Sequence, residues 1–350
     1  MIPHSRPFLS IKDFKYIEEI LASRQVAQGD ITETLERRFC KELSVRSCIT
    51  TSHGTAALHL ALLALGVGEG DEIIVPSYAC AALLYAVQYT GATPVLTDID
   101  LATFNPTADM LRTRMGSRTK AVILTHSFGF PADIESMGSL GLPIIEDCAQ
   151  ALGAYYRDKP VGSWGDISVF SFYATKMICA GEGGMICTND DRLANLVRDL
   201  NNPDKRSAYH VRYNYKMSDL TAGLALSQFQ RLNGFVERRR KIAQIYRDAL
   251  SNTPVKLQHK LSNSKPVYYR FVVRTDKPDA LMRAAREAGI ECDRPVHRPL
   301  HRYLDAANST EFKNTEAVWE SGVSVPLYPD LSDQECAYIA STLPTVLKAL

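Results

Sequence analysis

Short strand-like runs alternate with amphipathic stretches along most of the chain. The runs predict strands, and they lie at 48–51, 72–75, 91–99, 121–125, 142–145, 167–172 and 185–188. Between several of them, apolar positions recur at helical spacing, as in Ala56–Leu65, Ala79–Tyr89 and Leu193–Leu200. Strands that alternate with helices are typical of an α/β fold with a mostly parallel, doubly wound sheet.

The pattern changes at both ends of the chain. The segment 11–43 predicts two helices separated by Gln28-Gly29-Asp30. A long amphipathic helix is predicted after Ser218, with an apolar stripe at Ala225, Phe229, Leu232 and Val236. Beyond about residue 258 we expect a small α+β domain, with strands at Val267–Arg274 and 323–325 and a helix at Asp279–Ala288. We therefore predict a large domain at 1–235 and a small domain at 236–350, entered by the long helix.

Composition excludes several classes of protein. With 350 residues and a formal net charge of +1, the chain has no excess charge for general binding to nucleic acid. Its eight cysteines show no metal-ligand spacing, which predicts reduced thiols in a cytoplasmic protein without a structural metal. No signal peptide or membrane-spanning run is expected. A dinucleotide fingerprint and a P-loop are also missing from the sequence.

Chemically versatile side chains follow the predicted strands in the middle of the chain. The strand at 142–145 runs into Glu146-Asp147, the strand at 167–172 includes Ser171, and Lys176 follows in an apolar loop before a turn at 181–184. Because strand ends meet at one edge of an open α/β sheet, we expect a carboxylate, a hydroxyl and an amine to lie together there. These groups suit pyridoxal phosphate (PLP): an amine for its aldehyde, a carboxylate for its ring nitrogen and donors for its phosphate.

Each group also has an ordinary interpretation when taken alone. Loop lysines are mostly solvated, Asp147 could cap a helix, and a strand-end histidine such as His126 is usually structural. The turn Ser52-His53-Gly54-Thr55 opens a helix, which could make an anion site, but taken alone an ordinary capped helix explains it better. The order of the motifs is more specific than any one of them.

Two segments carry a resemblance to a known family. EDCAQALGA at 146–154 and DISVFSFYATKMICAGEGGMICT at 166–188 resemble the DegT/DnrJ/StrS family of sugar aminotransferases, which are fold-type I PLP enzymes. The resemblance extends from about residue 28 to about residue 329. It implies that Lys176 is the Schiff-base lysine and that Asp147 pairs with the pyridine nitrogen. It also implies that Gln150 contacts the face or 3-hydroxyl of the cofactor and that Ser171 is a phosphate ligand.

The same resemblance extends to other segments. It implies that Gly54, Thr55 and Ala56 cradle the PLP phosphate. NYKMSD at 214–219 is similar to a family motif, which implies that Asn214 reaches the phosphate of the neighbouring subunit in a homodimer with shared sites. Tyr78 and His301 are substrate candidates. The chain departs from the family at three of its positions: His53 replaces a small residue or asparagine, Cys80 replaces a stacking aromatic residue, and Lys216 replaces an arginine.

The resemblance implies a function as well as a fold. An amino group would move from an amino acid, glutamate in particular, to a nucleotide-linked keto sugar, in the synthesis of amino sugars for a surface polysaccharide or a glycosylated natural product. The diphosphate would meet basic residues at the rim, either Lys205, Arg206 and Arg212 or the loop 297–301. Two alternatives remain: a PLP aminotransferase that acts on a cyclitol or amino ketone, and a regulator that keeps the fold without the activity.

Overall fold

A seven-stranded sheet forms the centre of the computed structural model, which describes residues 1–204, 207–304 and 309–350. The first nine strands are β1 (Ser47–Thr51), β2 (Glu72–Pro76), β3 (Thr93–Thr97), β4 (Thr119–Thr125), β5 (Ile144–Asp147), β6 (Tyr155–Tyr156), β7 (Lys159–Pro160), β8 (Ile167–Ser171) and β9 (Gly184–Thr188). The central sheet has the order β1-β9-β8-β5-β4-β2-β3, and β9 runs antiparallel to both of its neighbours. The predicted α/β class with a mostly parallel sheet is confirmed.

Helices cover both faces of this sheet. In chain order they are α1 (Ile11–Ser23), α2 (Asp30–Leu43), α3 (Gly54–Ala64), α4 (Ala82–Tyr89), α5 (Ala108–Arg112), α6 (Ile134–Met137), α7 (Asp191–Leu200), α8 (Asp219–Phe229) and α9 (Leu232–Leu250). Along β2, Ile74 packs into one core cluster while Ile73 and Val75 pack into the cluster on the other face. Burial on both faces is the reason these strands are continuous apolar runs in the sequence.

The predicted long helix after Ser218 is in fact two helices. α8 ends at Phe229 and α9 begins at Leu232, because the chain leaves helical geometry at Arg231. The Arg231 side chain turns back to α1, where it bonds to the carboxylate of Asp13 and, at 2.8 Å, to the hydroxyl of Ser10. The apolar stripe continues across the break, so the hydrophobic pattern could not reveal it.

Asp219 joins the N-terminal helices to the rest of the large domain. Ser218 caps α8 as predicted, its hydroxyl accepting the N–H of Thr221 at 3.2 Å. The Asp219 carboxylate in turn accepts backbone N–H groups of Gly29 at 2.9 Å and Thr32 at 3.0 Å. One helix thus supplies the cap that another helix needs at its N-terminus. The Gln28-Gly29 turn between α1 and α2 is held by this cap.

The C-terminal part builds a second core around a small sheet. Its elements are β10 (Lys256–Leu257), β11 (Ser264–Lys265), β12 (Phe271–Arg274), α10 (Pro278–Glu287), α11 (Lys313–Ser321), β13 (Gly322–Val325) and α12 (Asp333–Ala349). The sheet has the order β10-β12-β13, while β11 pairs with β6 of the large domain. Residues of α9, α10 and α12 pack against it. The predicted domain boundary at 235 falls inside α9 and remains a prediction.

The strand predicted at Val267–Arg274 starts only at Phe271. Before that point the backbone of Val267 and Tyr269 donates to the carbonyls of Gly129, at 3.0 Å, and Phe128, at 2.9 Å. This segment therefore crosses to the edge of the large sheet before it enters the small one. In the described part of the chain, no helix combines the length and apolar character needed to cross a membrane. All eight cysteines are free thiols.

Candidate active site

The carboxyl ends of β2, β4, β5 and β8 border a cavity of about 260 Å³. Parallel pairing sets Thr125 beside Asp147 and Asp147 beside Val169 at this edge of the sheet. The cavity wall contains most of the residues expected from the sequence, namely Gly54, Thr55, Tyr78, Asp147, Gln150, Ser171 and Lys176. Motifs that are far apart in the chain thus meet at the strand ends, where ligands bind in open α/β sheets.

Asp147 lies on the floor of the cavity. Its Oδ1 accepts the N–H of Ala149 at 3.0 Å, and no described cationic side chain forms an ion pair with it. Burial raises the pKa of this carboxyl above its usual range, although the charge of Lys176 acts in the opposite direction. A carboxylate in this position favours a ligand that brings a protonated ring nitrogen to it.

The neighbouring Glu146 has a different role, which the sequence did not reveal. Its side chain is fully buried and accepts the N–H groups of Trp164 and Gly165 at 2.7 Å each, Gly162 at 2.9 Å and the Nε2–H of His126 at 3.1 Å. Burial opposes the charge, but the His126 bond and the amides outweigh it and lower the pKa of Glu146. His126, Glu146 and Cys148 approach within 4.8 Å, yet these bonds already occupy the carboxylate.

Lys176 projects from the loop between β8 and β9. Its backbone N–H donates to the carbonyl of Tyr173 at 2.8 Å, and its Nζ lies 5.1 Å from the ring centroid of Tyr269. Tyr269 is buried, and its hydroxyl lies 3.2 Å from Oγ1 of Thr175. Burial opposes ionisation of this phenol, but the charges of Lys176 and Arg270 prevail and lower its pKa to about 8. Sequence reasoning missed Tyr269, because only the crossing segment before β12 brings it here.

A polar recess lies where α3 begins. A Cβ atom built on Gly54 would stand 2.9 Å from Cβ of Ser171 and 3.3 Å from its Oγ, so only glycine permits this approach. The Ser171 hydroxyl and the first N–H groups of α3 therefore face the same space, as an anion site requires. The N–H of Ala56 is already used, since it donates to Nδ1 of His53 at 2.9 Å. Ala56 is also not part of the cavity wall.

Aromatic rings and one thiol also contribute to the wall. Tyr78 packs edge-on against Phe104 and Phe128. Its buried hydroxyl has no hydrogen-bond partner among the described residues, and burial raises the pKa of Tyr78. The Phe128 N–H donates to Oε1 of Gln150 at 2.6 Å, which fixes that amide on the cavity side. Cys80 is exposed at the rim and leaves open the space that an aromatic ring would fill.

Besides Ala56, two predicted site residues lie outside this cavity. The ring of His301 is buried, with Nδ1 at 2.6 Å from Oγ of Ser77 and Nε2 at 2.6 Å from Glu316. These bonds tie the loop between α10 and α11 to the end of β2, and the contact of His301 with substrate remains a prediction. Asn214 is exposed and does not line the cavity of its own chain.

The residues present fit PLP. The ring nitrogen of PLP is matched by a half-buried carboxylate that has no ion pair with a described cation. Its phosphate is matched by the recess that excludes a Cβ at Gly54, and its aldehyde by the lysine amine. Asp147 would face the nitrogen, Gly54, Thr55 and Ser171 would hold the phosphate, and Lys176 would bond to the aldehyde.

Comparisons with known proteins agree with this chemistry. Residues 9–344 match the DegT/DnrJ/EryC1/StrS aminotransferase family. The chain is 35% identical to a GDP-perosamine synthase of Escherichia coli O157:H7, over 98% of this chain and 97% of that protein. It resembles the crystal structure of the aminotransferase TlmJ from Streptoalloteichus hindustanus, at 31% identity, a TM-score of 0.93 and coverage of 100% and 99%. It also resembles the PLP form of a sugar aminotransferase, Spr1654 from Streptococcus pneumoniae, at 25% identity, a TM-score of 0.93 and 99% coverage of both chains.

Proposed function

Because this chain belongs to the DegT/DnrJ/EryC1/StrS aminotransferase family, we propose that it transfers an amino group to a keto sugar carried on a nucleotide. The observation that carries the proposal is the convergence of Lys176, Asp147 and the recess at Gly54 in one cavity. The cofactor of such a reaction is PLP. The product belongs to amino-sugar biosynthesis, for a surface polysaccharide or a glycosylated natural product.

Each of these residues has a separate task in the reaction. Bound PLP supplies an aldehyde that bonds to amines and a ring that withdraws electrons from the adjoining carbon. The amine of Lys176 removes and returns the proton at the substrate carbon, as a general base and then a general acid. Asp147 keeps the proton on the ring nitrogen. The recess at Gly54, Thr55 and Ser171 fixes the phosphate, so that the reacting carbon stays in reach of Lys176.

The cavity wall favours a sugar over an α-keto acid as acceptor. An aminotransferase that uses an α-keto acid as acceptor has an α-carboxylate to bind in both half-reactions, and it normally does so with a fixed arginine through paired hydrogen bonds. Among the described residues, no arginine lines the cavity. Arg294 and Arg298 bond elsewhere: Arg294 to Asp279 at 2.7 Å, and Arg298 to the carbonyl of Arg302. Of the predicted rim cations, Arg212 pairs with Asp199, and Lys205 and Arg206 lie outside the described residues.

The acceptor class can be tested directly. Protein loaded with pyridoxamine phosphate should regain the absorbance of PLP when it is given a GDP-linked keto sugar, the nucleotide that the name of the E. coli relative specifies. Other nucleotide-linked keto sugars are tested in parallel. The proposed amino donor is tested with L-glutamate and its keto product, 2-oxoglutarate. Rapid recovery with a free cyclitol ketone, an amino ketone or common α-keto acids other than 2-oxoglutarate, and none with any nucleotide-linked sugar, would overturn the assignment. No cofactor binding at all would favour a regulator.

A second copy of the chain completes the proposed site. Tyr213 and Tyr215 stack on each other at 5.3 Å and both contact the buried ring of His59. The Tyr213 N–H donates to the carbonyl of Leu200 at 2.7 Å, and the Tyr215 carbonyl accepts from Ser52 at 2.6 Å. Both flanking tyrosines are thus bound to their own subunit.

Asn214 lies between these two tyrosines and faces outward. The helix α1 also presents exposed apolar side chains, Ile11 at 67%, Phe14 at 63% and Leu21 at 55% exposure. An exposed apolar helix face is what a homodimer interface would use, and an outward amide could then reach the partner. We propose that Asn214 donates to the phosphate bound by the partner subunit.

Subunit mixing tests this sharing. Inactive Lys176→Ala and Asn214→Ala proteins, mixed in equal amounts and allowed to exchange, should recover about a quarter of wild-type activity. Half of the dimers are then mixed, and each has one site without a lesion. The control mixes Lys176→Ala with Asp147→Asn. Each of these substitutions damages the site of the subunit that carries it, so both sites of a mixed dimer are damaged and no activity should return. Sharing is refuted if the first mixture stays inactive while mass spectrometry shows mixed dimers.

A further inference from the structure

One histidine at the start of α3 has a ring nitrogen that the fold leaves free. His53 is the N-cap of this helix, and its Nδ1 accepts the N–H of Ala56 at 2.9 Å. Its side chain is half-buried and lines the cavity together with Gly54, Thr55 and Ser171. Small hydroxyl and amide side chains are the usual caps, so a histidine here brings a second polar atom that capping does not need.

The cap determines the protonation pattern of the ring. Because Nδ1 accepts a hydrogen bond from an amide, it carries no proton, and in the neutral ring the proton lies on Nε2. Nε2–H is therefore a donor. Among the described residues, the His53 side chain forms a hydrogen bond through Nδ1 alone.

The backbone holds His53 in place. Its carbonyl accepts the N–H of Ala57 at 3.1 Å and the hydroxyl of Thr51 at 3.1 Å. On the other side β9 packs closely, since a Cβ built on Gly184 would stand 2.7 Å from the His53 carbonyl oxygen. The ring cannot turn away from the recess without losing its bond to Ala56.

The recess has fewer backbone donors than the sequence suggested. Ala56 was expected to contribute an N–H group to the phosphate, but that group is bound to His53. The N–H groups of Gly54 and Thr55 and the hydroxyls of Thr55 and Ser171 remain. A phosphate dianion has three oxygens that accept strong hydrogen bonds, and a neutral imidazole N–H adds a donor without adding charge.

We propose that Nε2–H of His53 donates a hydrogen bond to the cofactor phosphate, so that one imidazole caps α3 and binds the anion. This inference rests on the proposed PLP site. It makes His53 a cofactor-binding residue in place of Ala56.

Two substitutions separate capping from binding. His53→Ser keeps an N-cap acceptor but has no atom that extends to the position of Nε2, whereas His53→Ala removes both functions. Binding is measured by fluorescence titration of the full-length apo-protein with pyridoxamine phosphate and, in parallel, with pyridoxamine. Neither compound bonds covalently to Lys176, so the difference between them reports the phosphate contacts. Thermal unfolding of each apo-protein reports the cap.

His53→Ser should bind pyridoxamine phosphate roughly tenfold more weakly than wild type, the loss expected for a hydrogen bond to a charged group. Its affinity for pyridoxamine and its unfolding midpoint should stay the same, and only His53→Ala should also unfold at lower temperature. Unchanged affinity of His53→Ser for pyridoxamine phosphate would overturn the proposal and leave the histidine as a cap. An equal loss for both compounds would overturn it too, because the ring would then shape the cavity. Failure of wild-type protein to bind either compound would instead reject the cofactor site.

Discussion

Replacing Lys176 with alanine should reduce turnover by about 10⁴-fold or more, because the substitution removes the only amine in the described cavity wall that can move the proton. The apo-protein should keep its unfolding midpoint, since the ammonium forms no ion pair with a described carboxylate and lies over the ring of Tyr269. Borohydride reduction of the PLP-loaded wild type, followed by peptide mapping, should find the pyridoxyl group on Lys176.

Lys120, an exposed residue at the opposite end of β4, supplies the matched control. Lys120→Ala should retain wild-type turnover and the same adduct. Detection of the pyridoxyl group on any lysine other than Lys176 would contradict the assigned role.

Asp147→Asn should lower turnover by roughly 10²–10³-fold, the loss typical of removing one preorganised electrostatic partner. An amide cannot keep the proton on the ring nitrogen. The apo-protein should be at least as stable as wild type near neutral pH. Burial raises the pKa of Asp147, so at pH values above its ordinary pKa the charged carboxylate lowers the free energy of unfolding. A neutral amide does not have this destabilising effect. Steady-state kinetics and thermal unfolding measure the two effects.

The adjacent carboxylate should behave in the opposite way. Glu146 has a lowered pKa, so its charge stabilises the fold above the ordinary pKa, and this contribution is lost as the pH falls through the folded-state value. Glu146→Gln places an amide among three backbone donors and should lower the unfolding midpoint near neutral pH. If Asp147→Asn lost stability and kept turnover, the assignment of the two carboxylates would have to be reversed.

Sequence reasoning located the cavity because its main residues follow strand ends, and strand ends meet by topology. That rule alone was enough to place Lys176, Asp147 and Ser171 together at the cavity. Tyr269 could not be found in this way, since its position depends on a crossing between two sheets that leaves no local pattern. The hydrophobic pattern also hid the break at Arg231, where a bond to a distant helix overrides helical periodicity.

Hydrogen bonds between side chain and backbone explain the other differences. The sequence showed Glu146 and Asp147 as an equivalent pair, but strand alternation sends them to different surroundings: one to the amides of the 162–165 loop and the other to the cavity. His53 was noticed as a departure from the family, and its bond to Ala56 became visible only with the helix N-terminus in place.

If Asn214 serves the partner subunit as proposed, its position between two tyrosines that contact their own subunit would make cofactor affinity depend on protein concentration. If each phosphate receives a donor from the other subunit, a separated subunit holds its cofactor less tightly, and bound cofactor must strengthen pairing by the same free energy. Dilution would then release cofactor, and a cell short of vitamin B6 would hold more separated subunits. Dimer formation and cofactor binding would then be thermodynamically coupled.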